Sequence, residues 1–298
     1  MGITLSYIIS TKNRLPFLKV LLGNLLPLVT ADEEIVVVDG NSTDGSKEYL
    51  RQLYEEQKIQ QYISEPDKNQ AHGWNKAILM AKGTIIKKLI DDDVHHIESI
   101  RKCRDFMLDN PQIDVCISDH LQSHLTQPAQ ISITGRLPNY QDWLAGRIRS
   151  FTFSDVTLLL RKASVSYLGL YDTQFRMMDW EYALRVSYLK AKIAYYTGYN
   201  SLSVSTPGNV TSGASEALLR YEGTIGRVKY EYPGDNADIS RFSRLKVWVG
   251  KTWDRLKNKR RPTPEVTLPD EAELQKIYAV YYQTLDEYNK TGSFNFIK

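Results

Sequence analysis

The sequence predicts an α/β fold in which a mostly parallel sheet is covered by helices on both faces. Two observations carry this expectation. Short, β-branched apolar runs alternate with stretches of helical spacing through the N-terminal third of the 298-residue chain, the signature of parallel strands joined by crossover helices. Acidic or hydroxyl side chains recur directly after the apolar runs, at the carboxyl ends of strands, where such a sheet binds its ligands.

The elements follow in order. Leu5 to Ser10 is short, apolar and β-branched, and reads as a buried strand. Leu15 to Leu26 has helical spacing and stops at Pro27, which cannot continue a helix. Glu34 to Asp39 is a second buried strand, Gly40 to Gly45 a turn, and Ser46 caps a helix running to about Gln57. Gln61 to Ser64 is a third strand, Gln70 to Lys82 a helix closed by Gly83, and Thr84 to Ile90 a fourth strand. Ile97 to Asp109 reads as a helix and Val115 to Ser118 as a strand. From Leu121 to Gly146 the pattern weakens, as in an insertion; Phe153 to Leu160 then reads as a strand and Asp179 to Ala191 as a helix. A linker spaced by Pro262, Pro264 and Pro269 leads to a Tyr-rich helix from Asp270 to about Asn289. The expected division is a body over 1–238 and a helical C-terminal appendage over 239–298.

Composition narrows the partners. The net charge of +3 favours none, but nine Lys/Arg stand against a single acid, Asp254, between Ser240 and Pro262. That segment carries +8 of the overall +3, so the rest of the chain is −5. Nothing else is strongly basic, so a nucleic-acid partner is not expected. Two cysteines, Cys103 and Cys116, are too few for a disulfide scaffold and fit a reducing compartment. The start, MGITLSYIIS, lacks the basic leader of a signal peptide, and no run of about 18 apolar residues occurs. The expected location is the cytoplasm.

Three groups of residues carry chemistry. Asp91, Asp92 and Asp93 follow an apolar strand; adjacent carboxylates repel unless a cation neutralises them. Mg²⁺ or Mn²⁺ accepts one or two carboxylates plus substrate phosphates; the alternative is a solvated acidic turn. Asp39 ends the second strand before a Gly/Asn/Ser turn and is suited to a nucleobase N–H or ribose hydroxyls, unless it serves only the turn. Asp179 begins a helix, either as a charge on the helix dipole or as a general base for a hydroxyl. There is no G-x-G-x-x-G fingerprint and no P-loop. His95 and His96 read as a surface pair starting a helix rather than as ligands, and Trp74 and Trp180 as core or pocket wall at least as readily as sugar-stacking faces.

These pieces stand in the chain as STKNR (Ser10–Arg14), VVVDGNSTDGS, EPDKNQAHGWNKAILMAKG, LIDDD and FRMMDWEYALR. In that order and spacing, over about residues 3 to 205, the chain resembles glycosyltransferase family 2, of the GT-A fold. The resemblance implies a transfer of sugar from a nucleotide-sugar donor, UDP-linked by expectation, to an acceptor hydroxyl. It implies donor contacts from Thr11, Asn13, Arg14, Asp39, Asp67, Asn75, Lys76, Asp91 and Asp92, a divalent metal (Mn²⁺ or Mg²⁺) on Asp91 and Asp93, and a catalytic base at Asp179. The chain departs from the family in three ways. Ile90-Asp91-Asp92-Asp93 stands where the family often shows D-S-D-D. The Gln-x-x-Arg-Trp motif of processive synthases is missing, which favours single-sugar transfer. Ser203-Val-Ser-Thr-Pro-Gly208 stands where many relatives place a His.

On a helix, Phe242, Leu245, Val249, Trp253 and Leu256 form one apolar stripe with most Lys/Arg opposite, the pattern of an interfacial helix on anionic lipid. The alternative is a helix packed on its own domain. The combined expectation is an inverting, metal-dependent glycosyltransferase, peripheral on the inner face of a membrane, with a glycan or lipid-linked glycan acceptor as in bacterial surface-polysaccharide assembly. A non-catalytic GT-A module that binds nucleotide-sugar or glycan is the rival. A nucleotidyltransferase would need a Gly-rich, Arg/Lys-containing N-terminal loop, which is missing.

Overall fold

The computed structural model describes residues 2–207, 216–234 and 269–298. The N-terminal third is a run of parallel strands and crossover helices: β1 (Leu5–Thr11), α1 (Leu15–Leu25), β2 (Glu33–Asp39), α2 (Ser46–Glu55), β3 (Gln61–Ser64), α3 (Gln70–Met80) and β4 (Ile85–Lys88). Strand β1 lies between β2 and β4, parallel to both, and β3 adds in parallel outside β2. The register sets Thr11 opposite Asp39, and Asp39 opposite Ser64, in one row at the carboxyl edge.

The sheet then changes character. After β5 (Val94–His95), α4 (Ile97–Asp109) and β6 (Val115–Ser118), strand β9 (Leu159–Arg161) runs antiparallel between β4 and β6. Strand β10 (Ile193–Tyr196) is parallel to β6, and β12 (Phe296–Ile297) closes the far edge antiparallel to β10. Among the described residues the order is β12-β10-β6-β9-β4-β1-β2-β3. A smaller sheet in the order β5-β11-β7-β8 combines β5 with β7 (Leu121–His124), β8 (Gln127–Ile133) and β11 (Ser201–Ser205). The other helices are α5 (Leu137–Leu144), α6 (Val165–Leu168), α7 (Met178–Tyr188), α8 (Glu216–Lys229) and α9 (Glu271–Lys290). This is the expected mixed α/β architecture with a mostly parallel central sheet.

Because side chains alternate along a strand, each central strand feeds two cores. Ile8, Val36, Val38 and Ile86 pack with Trp74 and Tyr182 on one face of the sheet. Tyr7, Ile9, Val37 and Ile85 pack with Leu18, Leu22, Ile100 and Met107 on the other. At about 1.5–3 kcal/mol for each fully buried large apolar side chain, these two layers hold the sheet. A third cluster lies under α9, whose Leu274, Tyr278, Tyr281 and Leu285 pack on Phe17, Val94, Leu202 and Val204. Through this helix and β12, residues 269–298 share the core of the body.

Several expected elements differ. The fourth strand ends at Lys88 rather than Ile90, because the chain turns at the acidic triplet, where the Asp93 N–H donates to the Ile90 carbonyl at 3.2 Å. The strand expected over Phe153–Leu160 shrinks to Leu159–Arg161. Its first part folds into a 3₁₀ turn, Asp155–Thr157, because the buried ammoniums of Lys87 and Lys88 draw in the Val156 carbonyl and the Asp155 carboxylate. The weakly patterned stretch after Leu121 forms the β7–β8 hairpin and α5; β8 is largely exposed although Ala129, Ile131 and Ile133 alternate with polar residues. Helix α7 stops at Tyr188, and Lys190 takes a left-handed turn at φ +57°. The amphipathic basic stripe from Phe242 to Leu256 and most of the Pro-spaced linker lie outside the described residues. Among the described residues, no helix is long and apolar enough to cross a membrane.

Candidate active site

A cavity of about 680 Å³ opens at the carboxyl edge of β1 and β4. One wall comes from Ser10 and Thr11 at the end of β1 with Lys12 and Arg14 after it, from Asp67 to Gln70 at the start of α3, and from Ile90 to Asp93 after β4. The second wall comes from Lys88, Ser154 to Val156, Arg176, Met178 and Asp179, and Ser203 and Val204 of β11 join it to the first.

The first wall depends on close packing between turns. Asn13 has φ +53°, a left-handed conformation that Asn tolerates better than most residues. Its N–H donates to Ser42 Oγ at 2.8 Å, and its side-chain oxygen accepts from the Thr43 N–H at 2.8 Å. The turns after β1 and β2 are thereby joined. Helix α3 begins at Asn69, whose side-chain oxygen accepts from the His72 N–H at 3.1 Å, a standard N-cap. Gly73 lets this helix approach β1: a Cβ there would meet Ser10 Oγ at 2.3 Å and Asp67 Oδ2 at 2.7 Å. Asp67 reaches the wall held by Lys76 at 2.7 Å and His72 at 3.2 Å.

The acidic triplet is buried, and each carboxylate has its own partners. Asp91 accepts from Thr11 Oγ1 at 2.7 Å and pairs with Arg14 at 3.5 Å. Asp92 pairs with the same guanidinium and accepts from the Thr206 hydroxyl. Asp93 accepts from the Val204 N–H at 2.8 Å and from Ser203 Oγ at 3.1 Å. Burial, with the neighbouring Asp92 charge second, pushes the Asp91 carboxyl up to about 6 and raises that of Asp93 as well. Crowded carboxylates of this kind favour a cation, and Arg14 supplies one from the protein. Among the described residues no group of three or more His, Cys, Asp and Glu side chains is arranged to hold a metal. The Ser203–Thr206 stretch meets the triplet with hydroxyls and a backbone N–H.

The second wall centres on a buried ion pair. Lys88 donates to the Asp155 carboxylate, and its ammonium lies 4.4 Å from the Trp74 ring centre and 5.3 Å from that of Tyr171. The Tyr171 hydroxyl also donates to Asp155, at 3.2 Å. Asn75 fixes the Tyr171 backbone, donating to its carbonyl at 2.8 Å and accepting from its N–H at 2.9 Å. Asp179, at the start of α7, lines the cavity with its side chain exposed. Desolvation by the surrounding cavity raises its carboxyl from the ordinary value, Asp155 adds to this, and Lys88 opposes it. A raised carboxylate open to a cavity is suited to proton abstraction.

The residues named from sequence therefore divide. Thr11, Arg14, Asp67, Asp91, Asp92, Asp93 and Asp179 meet on one cavity. Asn13, Asp39, Asn75 and Lys76 are not among the residues that line it. Asp39 is fully buried, accepting from Ser64 Oγ at 2.6 Å, from the Ser42 N–H at 3.0 Å and from the Ser42 hydroxyl. Lys76 spans Glu65 and Asp67 at 2.7 Å each. The histidine pair is not on the surface. His95 is buried in β5 and its imidazole is held neutral, pushed down to about 3 by burial. His96 caps α4, accepting from the Ser99 N–H at 3.1 Å. Trp74 lies under Lys88, and Trp180 meets Tyr232 edge-on at 6.1 Å. The sequence reading missed Lys88 and Asp155. A signal for Lys88 was present, since two lysines inside a strand of a sheet covered on both faces demand partners; none marked Asp155.

The model of glycosyl transferase family 2 matches residues 6–168, more than half of the chain. No curated protein matches the sequence. Among solved structures, S. aureus TarS residues 1–349 in complex with UDP-GlcNAc aligns at TM-score 0.62 and 17% identity, covering 96% of this chain and 83% of that one. The mannosyltransferase PcManGT from Pyrobaculum calidifontis, in complex with GDP-Man and Mn²⁺, aligns at TM-score 0.56 and 15% identity, covering 97% and 84%. A longer S. aureus TarS structure aligns at TM-score 0.57 and 17% identity, with 95% of this chain covering 55% of that one. At these identities the likeness is one of fold.

Proposed function

The chain belongs to glycosyl transferase family 2 and is a glycosyltransferase, and from that premise we propose that it transfers one sugar, with inversion, from a nucleotide-sugar to an acceptor hydroxyl. The observation that carries this reading is the shared cavity: the acidic triplet and Asp179 line the same space. The first wall would hold the donor, its diphosphate toward Arg14 and the triplet. The second would hold the acceptor. Asp179 accepts the proton of the acceptor hydroxyl, and that oxygen attacks the anomeric carbon on the face opposite the diphosphate. Arg14 and the hydroxyls of Thr11 and Thr206 order the loop that faces the leaving group.

A divalent ion fits the chemistry of the donor set. Asp91 and Asp93 offer hard oxygens, their raised carboxyls favour a nearby cation, and substrate phosphates and water would complete the shell. Bound there, Mg²⁺ or Mn²⁺ would neutralise the charge building on the departing diphosphate. The donors named in the aligned structures, UDP-GlcNAc and GDP-Man, set the first candidates, with UDP-sugars preferred. An acceptor on a lipid carrier, as in surface-polysaccharide assembly, would suit the basic segment from Ser240 to Pro262. The test is a panel of nucleotide-sugars screened for thermal stabilisation with manganese and with excess chelator, followed by assay of nucleoside diphosphate release. One donor should stabilise the protein with metal and be consumed. Undiminished UDP affinity in chelator would remove the metal, and binding without turnover under any acceptor would leave a non-catalytic module.

A further inference from the structure

Helix α9 begins at Glu271, far along the chain from the strand-end motifs, yet one of its side chains reaches the acidic loop. The Tyr278 hydroxyl donates to the backbone carbonyl of Asp92 at 2.6 Å, in a buried environment. The same ring meets Phe17 edge-on, with centroids 6.1 Å apart and planes at 62°. The Arg14 guanidinium lies 4.3 Å from the Phe17 ring centre, and Arg14 pairs with both Asp91 and Asp92. Tyr278 thus supports the loop twice, through its backbone and through the aromatic perch of the cation that balances it.

We propose that Tyr278 is a positioning residue for the diphosphate end of the cavity, and that α9 is a brace the donor site requires. This rests on the reading of Asp91 to Asp93 as that end. The brace has anchors independent of this contact. Tyr281 donates to the His124 carbonyl at 2.8 Å, Asn289 donates to the Tyr199 carbonyl at 2.8 Å, and Leu274 and Leu285 are fully buried. Losing one hydroxyl therefore leaves the helix docked, while the Asp92 carbonyl loses its partner and the loop its fixed height. A carbonyl buried without a donor is costly, so the loop has reason to shift.

The test compares Tyr278→Phe with Tyr281→Phe, which removes an equivalent hydroxyl contact away from the loop. Calorimetric titration with UDP and Mn²⁺ should show Tyr278→Phe weakened by about 2- to 12-fold, the worth of one hydrogen bond, and Tyr281→Phe at wild-type affinity. Hydrogen exchange over residues 91–94 should accelerate in Tyr278→Phe alone, and both variants should lose Tm to a similar, small extent. Unchanged exchange in Tyr278→Phe, or equal loss of affinity in both variants, would overturn the proposal. If the wild type binds neither UDP nor Mn²⁺, the donor-site reading fails on its own, and the exchange comparison still decides whether Tyr278 fixes the loop.

Discussion

The two walls of the cavity are made by different means. The first is drawn from residues 10–93 and hangs on parallel strands whose register alone brings Thr11, Asp39 and Ser64 into line. The second is drawn from residues 154–179 on a 3₁₀ turn and a helix start, with β11 beside it, and is tied to the sheet by the ion pair of Asp155 with Lys88 at the end of β4. Where register positions side chains, local sequence is enough to place them. Where a buried charge pair positions them, the partners are far apart in the chain, 67 residues for Lys88 and Asp155, and only the fold brings them together.

If the walls divide the labour as their geometry suggests, Asp179→Asn should separate binding from chemistry. Transfer should fall by about 10²–10⁴, the usual worth of a general base, with donor affinity unchanged by calorimetry. Wild-type transfer by that variant would place the base elsewhere and end the division. The ion pair gives the next largest effect. Lys88→Met or Asp155→Ala alone leaves a buried charge without its partner and should cost about 3–5 kcal/mol of stability, read from denaturant midpoints. Removing both at once should cost less than the sum of the two; strict additivity would mean the pair does not hold the wall.

The first wall is tested by close packing. Gly73→Ala forces a methyl to 2.3 Å from Ser10 Oγ and 2.7 Å from Asp67 Oδ2. It should cost about 1–3 kcal/mol, as overpacking does, and weaken donor binding before it slows chemistry. The smallest effect is in pH. Asp179 must be ionised to accept a proton, and desolvation with Asp155 holds its carboxyl above the ordinary value of 3.8. Activity is therefore full above the raised value and lost as pH falls through it. At saturating donor and metal, the acid limb of kcat should lie above 3.8. A limb at the ordinary value would show that Asp179 does not limit the rate.

The same contrast explains what could be read in the sequence. β3, α4 and β6 have the bounds their apolar patterns predict, because periodicity is a local signal. Thr11, Arg14, Asp67, the triplet and Asp179, named from motif pieces, line one cavity. Asp39 shows the limit of that method. Its place at the strand end is as expected, but its carboxylate is turned onto Ser42 and Ser64, a choice made by the neighbouring turn. Asp155 was hidden in a segment that reads as strand and folds as a turn, and Tyr278 in a helix that reads as an appendage. Nothing local marks a tyrosine whose hydroxyl will meet a carbonyl 186 positions earlier.

Strand β12 is only Phe296–Ile297, yet it occupies the open side of β10. Phe296 stacks on Phe106 at 3.9 Å with planes 5° apart, and the Tyr140 hydroxyl donates to the Ile297 carbonyl at 3.1 Å. An open edge of buried, aromatic strand is a template on which another chain can grow. These two residues act as a stopper on that edge, while the opposite edge, β3, has only four residues. A chain cut before Phe296 should keep its cavity and lose its colloidal stability, clumping at concentrations where the whole chain stays dispersed.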